Sequence, residues 1–376
     1  MALLVFPAVW KNDFFLLITK IKTAMTRKIA PSILLIFCFF SGFSQTDSTK
    51  SPWPTITGSV DAYYRFNFAD AKDAEGNPIT NNKTSFTNSQ NSFELGMASI
   101  QAAHSFGKAS AFVDLGFGRR AEEFNYANTD HTTLSSLKQA YISYAVSDKF
   151  KLTIGKWATH VGYELADAYL NTNYSMDYMF SYGPFSHTGI KADIGLGGTS
   201  ALMIGISNPT DNATTVSSRK YAIAQFSTAT KDAKLKAYLN YVGTYGGSLS
   251  ATQLDLVLIG AVSDKFSIGY NGTFKTIKPE GDDNVSTFGS ALYLTAAPTS
   301  SFAITLRGEY FGDEKGTFGL GTNVFDLTLS PNFKIGNLTI IPELRLDNGK
   351  DEIFIDHDGK ATKSTFTGIL AATYHF

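Results

Sequence analysis

The residues able to do chemistry in this chain are charges set singly into apolar, alternating segments. Asp61 and Arg65 sit among Ile56, Val60, Tyr64 and Phe66. Arg307 and Glu309 sit among Phe302, Ile304, Leu306 and Tyr310, and Glu343, Arg345 and Asp347 among Leu338, Ile340, Leu344 and Leu346. The charges fall out of phase with the large apolar residues. Asp114, Lys191, Asp193, Lys236, Asp255, Lys275 and Asp326 fit the same pattern. Side chains on a strand alternate between its two faces, so one face is apolar and the other carries charge of both signs. Such a face suits a hydrated conduit with a field across it, rather than a filter for one sign of ion.

Bond-making chemistry finds little support. His104, His131, His160, His187, His357 and His375 stand in no H-E-x-x-H or G-x-S-x-G context. No nucleophile and base are paired by spacing. Asp351, Glu352, Asp356, His357, Asp358 and Gly359 could gather oxygen ligands for Ca²⁺, but they lack the EF-hand spacing and read as a polar turn. The glycine-rich piece 316–321 does not lead a strand into a helix, so it is no phosphate loop. The expectation is no metal site, no cofactor and no enzyme. No basic patch with interleaved aromatics suggests nucleic acid.

The elements that must position these charges are strands. In the final segment Phe366, Gly368, Leu370, Ala372, Tyr374 and Phe376 share one face, opposite Thr367, Ile369, Ala371, Thr373 and His375. A sheet in lipid must leave no edge, so its last strand has to pair with its first. Sixteen strands are predicted, beginning near residues 55, 91, 108, 135, 149, 186, 199, 219, 233, 251, 264, 285, 300, 323, 337 and 364. Registers within 134–147, 219–231 and 249–262 stay open. Short turns at 106–108, 147–149, 197–199, 231–232, 263–265, 297–299 and 336–337 alternate with long connections at 69–90, 119–133, 159–184, 208–218, 244–250, 277–284, 312–322 and 348–363. That rhythm, with both ends of the sheet on one side, belongs to an even-stranded transmembrane antiparallel β-barrel. The hexapeptide Ala-Val-Ser-Asp-Lys-Phe occurs at 145–150 and 261–266, at two of the short turns, and reads as one turn used twice.

Composition agrees. Aromatics make up 14% of 376 residues, glycine is frequent at 32, and charged residues are only 17%. Mean hydropathy is −0.05, too low for a helical bundle but suited to strands whose two faces cancel in any window. Thr26, Arg27 and Lys28 precede an apolar run, 33–40, and Gly42 and Ser44 supply small residues before Gln45. Residues 25–44 therefore read as a secretory signal peptide, 1–24 as an upstream extension from a mis-called start, 45–54 as a short periplasmic N-terminus and 55–376 as the barrel. Cys38, the only cysteine, lies in the signal region behind Phe37, which disfavours lipidation.

The third long connection carries the densest motif. Gly155-Lys156 ends a strand, followed by Gly162-x-Glu164, Asn171-x-x-Tyr174-Ser175 and Pro184-x-x-His187-x-Gly189. This pattern resembles the β-barrel porin-2 (OmpL-like) family of Bacteroidota outer membranes. It covers about a tenth of the chain tightly, with the barrel alternation covering the remainder loosely. The resemblance implies a channel for small solutes. Analogy with general trimeric porins, whose third loop folds inward, places a constriction at Glu164, Asp167 and Asp177, facing luminal Arg65, Arg307 and Arg345, and suggests a homotrimer. Lys156 is in phase with Leu152 and Ile154, so either a bulge at Gly155 re-aims it or it snorkels above the apolar band.

The resulting expectation is an outer-membrane porin of a Gram-negative cell, in contact with lipid and lipopolysaccharide. It would pass small hydrophilic solutes by diffusion through a water-filled lumen narrowed by 159–184. Two other classes compete. A surface adhesin or receptor would use its long loops and keep the lumen plugged, and a barrel enzyme would lose activity on mutation of a histidine. A soluble β-sandwich or solenoid would lack the alternation of long and short connections.

Overall fold

The computed structural model describes residues 53–128, 133–246, 249–279, 281 and 283–376. The signal peptide and upstream extension read from the sequence lie outside the described residues. The barrel strands are β1 (Thr55–Asn67), β2 (Ser92–Phe106), β3 (Ala109–Phe117), β4 (Leu137–Ser147), β5 (Phe150–Ala158), β6 (Ser186–Gly197), β7 (Ser200–Ser207), β8 (Tyr221–Ala229), β9 (Leu235–Thr244), β10 (Leu249–Ser263), β11 (Phe266–Pro279), β12 (Val285–Thr299), β13 (Phe302–Gly312), β14 (Asn323–Ile335) and β15 (Leu338–Gly349). A small hairpin, β16 (Phe354–Ile355) and β17 (Ala361–Thr362), precedes the last barrel strand, β18 (Ser364–His375). Each barrel strand begins within two residues of its predicted start.

The sheet closes. β1 pairs antiparallel with β18, from Ser59↔His375 to Asn67↔Thr367, and with β2 on its other side. Gly58 and Phe376 exchange both backbone hydrogen bonds, at 3.0 and 2.9 Å. All sixteen barrel strands join in one antiparallel closed ring, so no strand edge is left over.

The apolar face of β18 points outward and its other face inward, as the alternation requires. Phe366, Leu370, Tyr374 and Phe376 are exposed, while Thr365, Thr367, Ile369, Ala371 and Thr373 are buried. Aromatic pairs ring the exterior at both ends. Phe68 stacks on Phe366 and Phe288 meets Tyr310 at the long-loop end. Phe302 meets Phe333, and Tyr374 meets Phe376, at the short-turn end. Two such girdles bracket the hydrocarbon layer in membrane barrels.

The repeated hexapeptide does build one turn twice. Both copies break the ladder at the same place, between Ala145 and Ser147 and between Ala261 and Ser263. In both, the serine hydroxyl accepts the backbone N–H of the lysine two residues on, at 3.3 Å. The turn expected at 297–299 is displaced. β12 runs to Thr299 and the reversal falls after it, because a ladder shift between Ala296 and Thr299 absorbs Pro298 without ending the strand. The acidic segment near His357 is a turn: Asp356 Oδ1 accepts the N–H groups of Asp358 and Lys360, and Gly359 takes φ +78°.

Candidate functional site

The connection between β5 and β6 leaves the wall and crosses the lumen. Gly162 N donates to Asp255 Oδ1 on β10 (3.0 Å), and Tyr163 N to Asn271 Oδ1 on β11 (3.2 Å). The Tyr163 ring stacks on Tyr293 of β12 at 4.1 Å. Glu164 then meets Arg307 of β13 at 2.7 Å, and only three residues later Asp167 meets Lys138 of β4 at 2.6 Å. β13 and β4 lie seven strands apart around the ring of sixteen. The loop therefore reaches both walls. It continues past β14, where Asn332 Nδ2 donates to Thr172 O (2.9 Å), and Tyr174 Oη donates to Asp61 Oδ2 on β1 (2.6 Å).

An irregular backbone inside a barrel has no ladder partner, and each unsatisfied buried N–H or C=O is costly. Charges of the wall and of neighbouring connections supply the missing bonds. Glu343 accepts the N–H groups of Tyr174 and Ser175 (2.7 and 3.0 Å), and Glu309 those of Tyr178 and Met179 (2.7 and 2.8 Å). Asp211, from the loop after β7, accepts those of Phe185 and Ser186 (2.7 and 2.8 Å). Guanidiniums take the carbonyls: Arg307 donates to Ser175 O (2.7 Å), Arg345 to Met176 O (2.6 Å) and Arg120 to Ala166 O (3.2 Å). Apolar packing completes the fastening. Tyr174 and Ala168 pack on Tyr63, Ile341, Ile369 and Ala371, while Tyr178 and Met179 pack on Ala291, Tyr293, Phe311 and Val324.

The motif residues are largely the ones that do this. Gly155 (φ +134°) and Gly189 are direct partners across β5 and β6. A Cβ on Gly155 would lie 2.2 Å from Ala140 O, and one on Gly189 2.1 Å from Ile206 O, so only glycine fits this close approach. The conformation of Gly155 also settles Lys156. Leu152 and Ile154 point outward, but past Gly155 the alternation breaks and Lys156 is buried, donating to Asn125 Oδ1 and Leu137 O. Asn171 staples the loop to itself through Leu165 N and Leu165 O (3.0 and 2.6 Å). His187 Nε2 lies 3.1 Å from Thr159 Oγ1, and its ring is 5.0 Å from that of His160.

Beneath the loop runs an ion network. Arg307 bridges Glu164 and Asp326, and Arg345 bridges Asp326 (2.6 Å) and Asp347 (2.8 Å). Tyr293 Oη donates to Asp177 Oδ2 (2.6 Å) and lies 3.3 Å from Glu164 Oε1. Burial, then the neighbouring Asp177, pushes the Glu164 carboxyl up to about 8. Burial likewise raises Asp177, and raises Asp211 to about 6. Burial lowers His160 to about 4, which keeps its imidazole neutral.

The fourteen wall charges read from the sequence all face inward, but most lie under the loop. Asp61, Arg65, Asp114, Lys191, Asp255, Arg307, Glu309, Asp326, Glu343, Arg345 and Asp347 are buried, whereas Asp193, Lys236 and Lys275 are half-buried. The expected facing of acids and arginines needs correction. Only Glu164 finds its arginine. Asp167 pairs with Lys138, Asp177 meets Tyr293, and Arg65 is drawn to the carbonyls of Thr80 and Ser89 (2.7 and 2.5 Å) by the inward loop after β1. Arg345 is held by Asp326 and Asp347. Lys138 and Arg120 were not singled out from the sequence. Lys138 lies in a stretch whose register was open. Arg120 sits in a connection read as merely long, yet it is fully buried between the rings of Phe86 and Tyr174 (4.9 and 5.0 Å).

A closed sixteen-stranded barrel with an apolar, aromatic-girdled exterior and a charged interior crossed by a loop is an outer-membrane channel protein. The family model for beta-barrel porin-2, OmpL-like, matches residues 54–376, and the chain belongs to that family. No curated protein sequence matches it. Among solved structures it is similar to the anion-selective porin of Comamonas acidovorans (TM-score 0.56, 12% identity, 86% of this chain and 99% of that one). It is also similar to OprB of Pseudomonas putida (0.57, 10%, 86% and 94%) and to the trimer form of OmpT from Vibrio cholerae (0.56, 10%, 86% and 99%).

Proposed function

We propose that the protein is a porin for passive diffusion of small hydrophilic solutes, and that the β5–β6 loop sets the narrowest part of its path. The observation that carries this reading is the loop's reach, from Arg307 on one wall to Lys138 nearly opposite. Sixteen strands enclose a lumen wide enough for water, so an inward loop fixed at both sides narrows the passage without replacing it. Glu164, Asp167 and Asp177 act here as anchors that hold the constriction in place. Assembly as a homotrimer belongs to the same proposal, supported by the trimer form of one structural neighbour.

The test is single-channel recording in planar bilayers with protein purified from outer membranes. Wild type should give discrete, stable steps. The triple variant Glu164→Ala/Asp167→Ala/Asp177→Ala should give larger or noisier steps, because the loop loses its fastening to Arg307, Lys138 and Tyr293. A folded barrel that never conducts would refute the diffusion reading.

A further inference from the structure

We infer that the channel prefers small anions to cations, an inference that rests on the diffusion reading above. The lumen contains both signs of charge, but most of its acids are buried and lysine predominates among the inward strand charges that water reaches. On β13, β14 and β15 the carboxylates of Glu309, Asp326, Glu343 and Asp347 are buried, each committed to an arginine, a hydroxyl or a loop N–H. An acid fixed in this way presents little charge to a passing ion.

The wall from β5 to β11 differs. Lys151 and Lys191 both approach Asp193, at 3.3 and 3.8 Å, so two cations share one carboxylate. The side chains of Lys151 and Asp193 remain 36% and 20% exposed. The Lys236 side chain, on β9, makes no ion pair or hydrogen bond among the described residues and is half-buried. It stands three strands from Asp193, at the short-turn end of the same wall. Lys275 on β11, also half-buried, has the Phe318 ring 4.3 Å away and no carboxylate at ion-pair distance among the described residues, with Asp313 and Asp211 acting on it from further off. Against these, Asp193 and Glu94 are the inward strand acids that keep appreciable exposure among the described residues. The water-reached part of the lumen thus carries an excess of lysine, the arrangement that favours anions in pores.

The size of the effect can be estimated. One unit charge about 8 Å from the ion path in water, screened over one Debye length, changes the anion-to-cation ratio by about twofold. The experiment is the reversal potential under a KCl gradient. Wild type should reverse on the chloride side. Lys236→Gln should reduce the chloride-to-potassium permeability ratio about twofold and Lys236→Glu about fourfold. Cation preference in the wild type, or a ratio unmoved by Lys236→Glu, would overturn the inference and leave the porin standing. Absence of any conductance would remove both.

Discussion

Glu343→Ala is the most direct perturbation of the loop's fastening. The Glu343 carboxylate accepts three hydrogen bonds, from Tyr174 N (2.7 Å), Ser175 N (3.0 Å) and Ser330 Oγ (2.7 Å). Bonds to a charged acceptor contribute about 1.5–3 kcal/mol each, and a buried donor left without a partner costs about 1–3 kcal/mol. The two loop donors stranded together should weaken docking by roughly 4 kcal/mol, allowing for partial relaxation and the non-additivity of neighbouring sites. The sheet does not depend on that carboxylate. β15 pairs with β14 and β18 through backbone groups on both sides of Glu343. The expected outcome is therefore local: a barrel that still folds and resists heat in detergent, but whose loop becomes open to protease and whose current becomes noisy. Cleavage mapped to 159–185 and increased open-channel noise are the two readouts. If the loop stays protected and the noise unchanged, the wall carboxylates are not what holds it. Loss of the whole barrel would equally refute the separation of loop from sheet.

Three other outcomes are expected. Burial raises the carboxyls of Glu164, in the loop, and of Asp211, which holds the loop at Phe185 and Ser186, to about 8 and about 6, both above their ordinary values. The stability they contribute is therefore complete in acid and is lost as pH rises through those values. Loop protection from protease should fall between pH 5 and 9, and Glu164→Gln, which cannot ionise, should flatten the upper part of that profile; an identical profile in the variant would contradict the assignment. Gly155→Ala places a methyl 2.2 Å from Ala140 O at φ +134°, a strain of about 1–3 kcal/mol that should lower refolding yield. Gly195→Ala, whose new methyl meets nothing closer than 3.6 Å, should be silent, and equal yields would discount the strain argument. Leu370→Arg puts a charge on the lipid face and should cost about 2–4 kcal/mol if it lies at the bilayer midplane. Urea titration in liposomes would measure it, with Ser364→Arg at the strand end as a nearly neutral comparison; equal costs would mean the exterior face has been misread.

What could be read from the chain was whatever depends on period and local turn chemistry. Alternation is a property of each strand alone, so the inward placement of Arg307, Glu309 and Glu343 and the outward placement of Leu370 and Phe376 follow from residue order. Turn residues repeat for the same local reason, and the two copies of one hexapeptide make one bulged reversal. Even closure was legible, because a lipid-exposed edge is prohibitive and the first and last segments share a pattern. Partners across the lumen were not legible. Which base meets Asp167 depends on where a loop of some 27 residues lands after leaving the wall, and no spacing encodes that Lys138, rather than an arginine, will be there. The same holds for Arg120, whose burial exists only because two separate loops fold inward onto it. Nor could the sequence say which charges would be consumed in binding backbone and which left facing water. That division arises when an irregular segment demands hydrogen bonds from the nearest carboxylates and guanidiniums, and only the tertiary structure decides which ones are near.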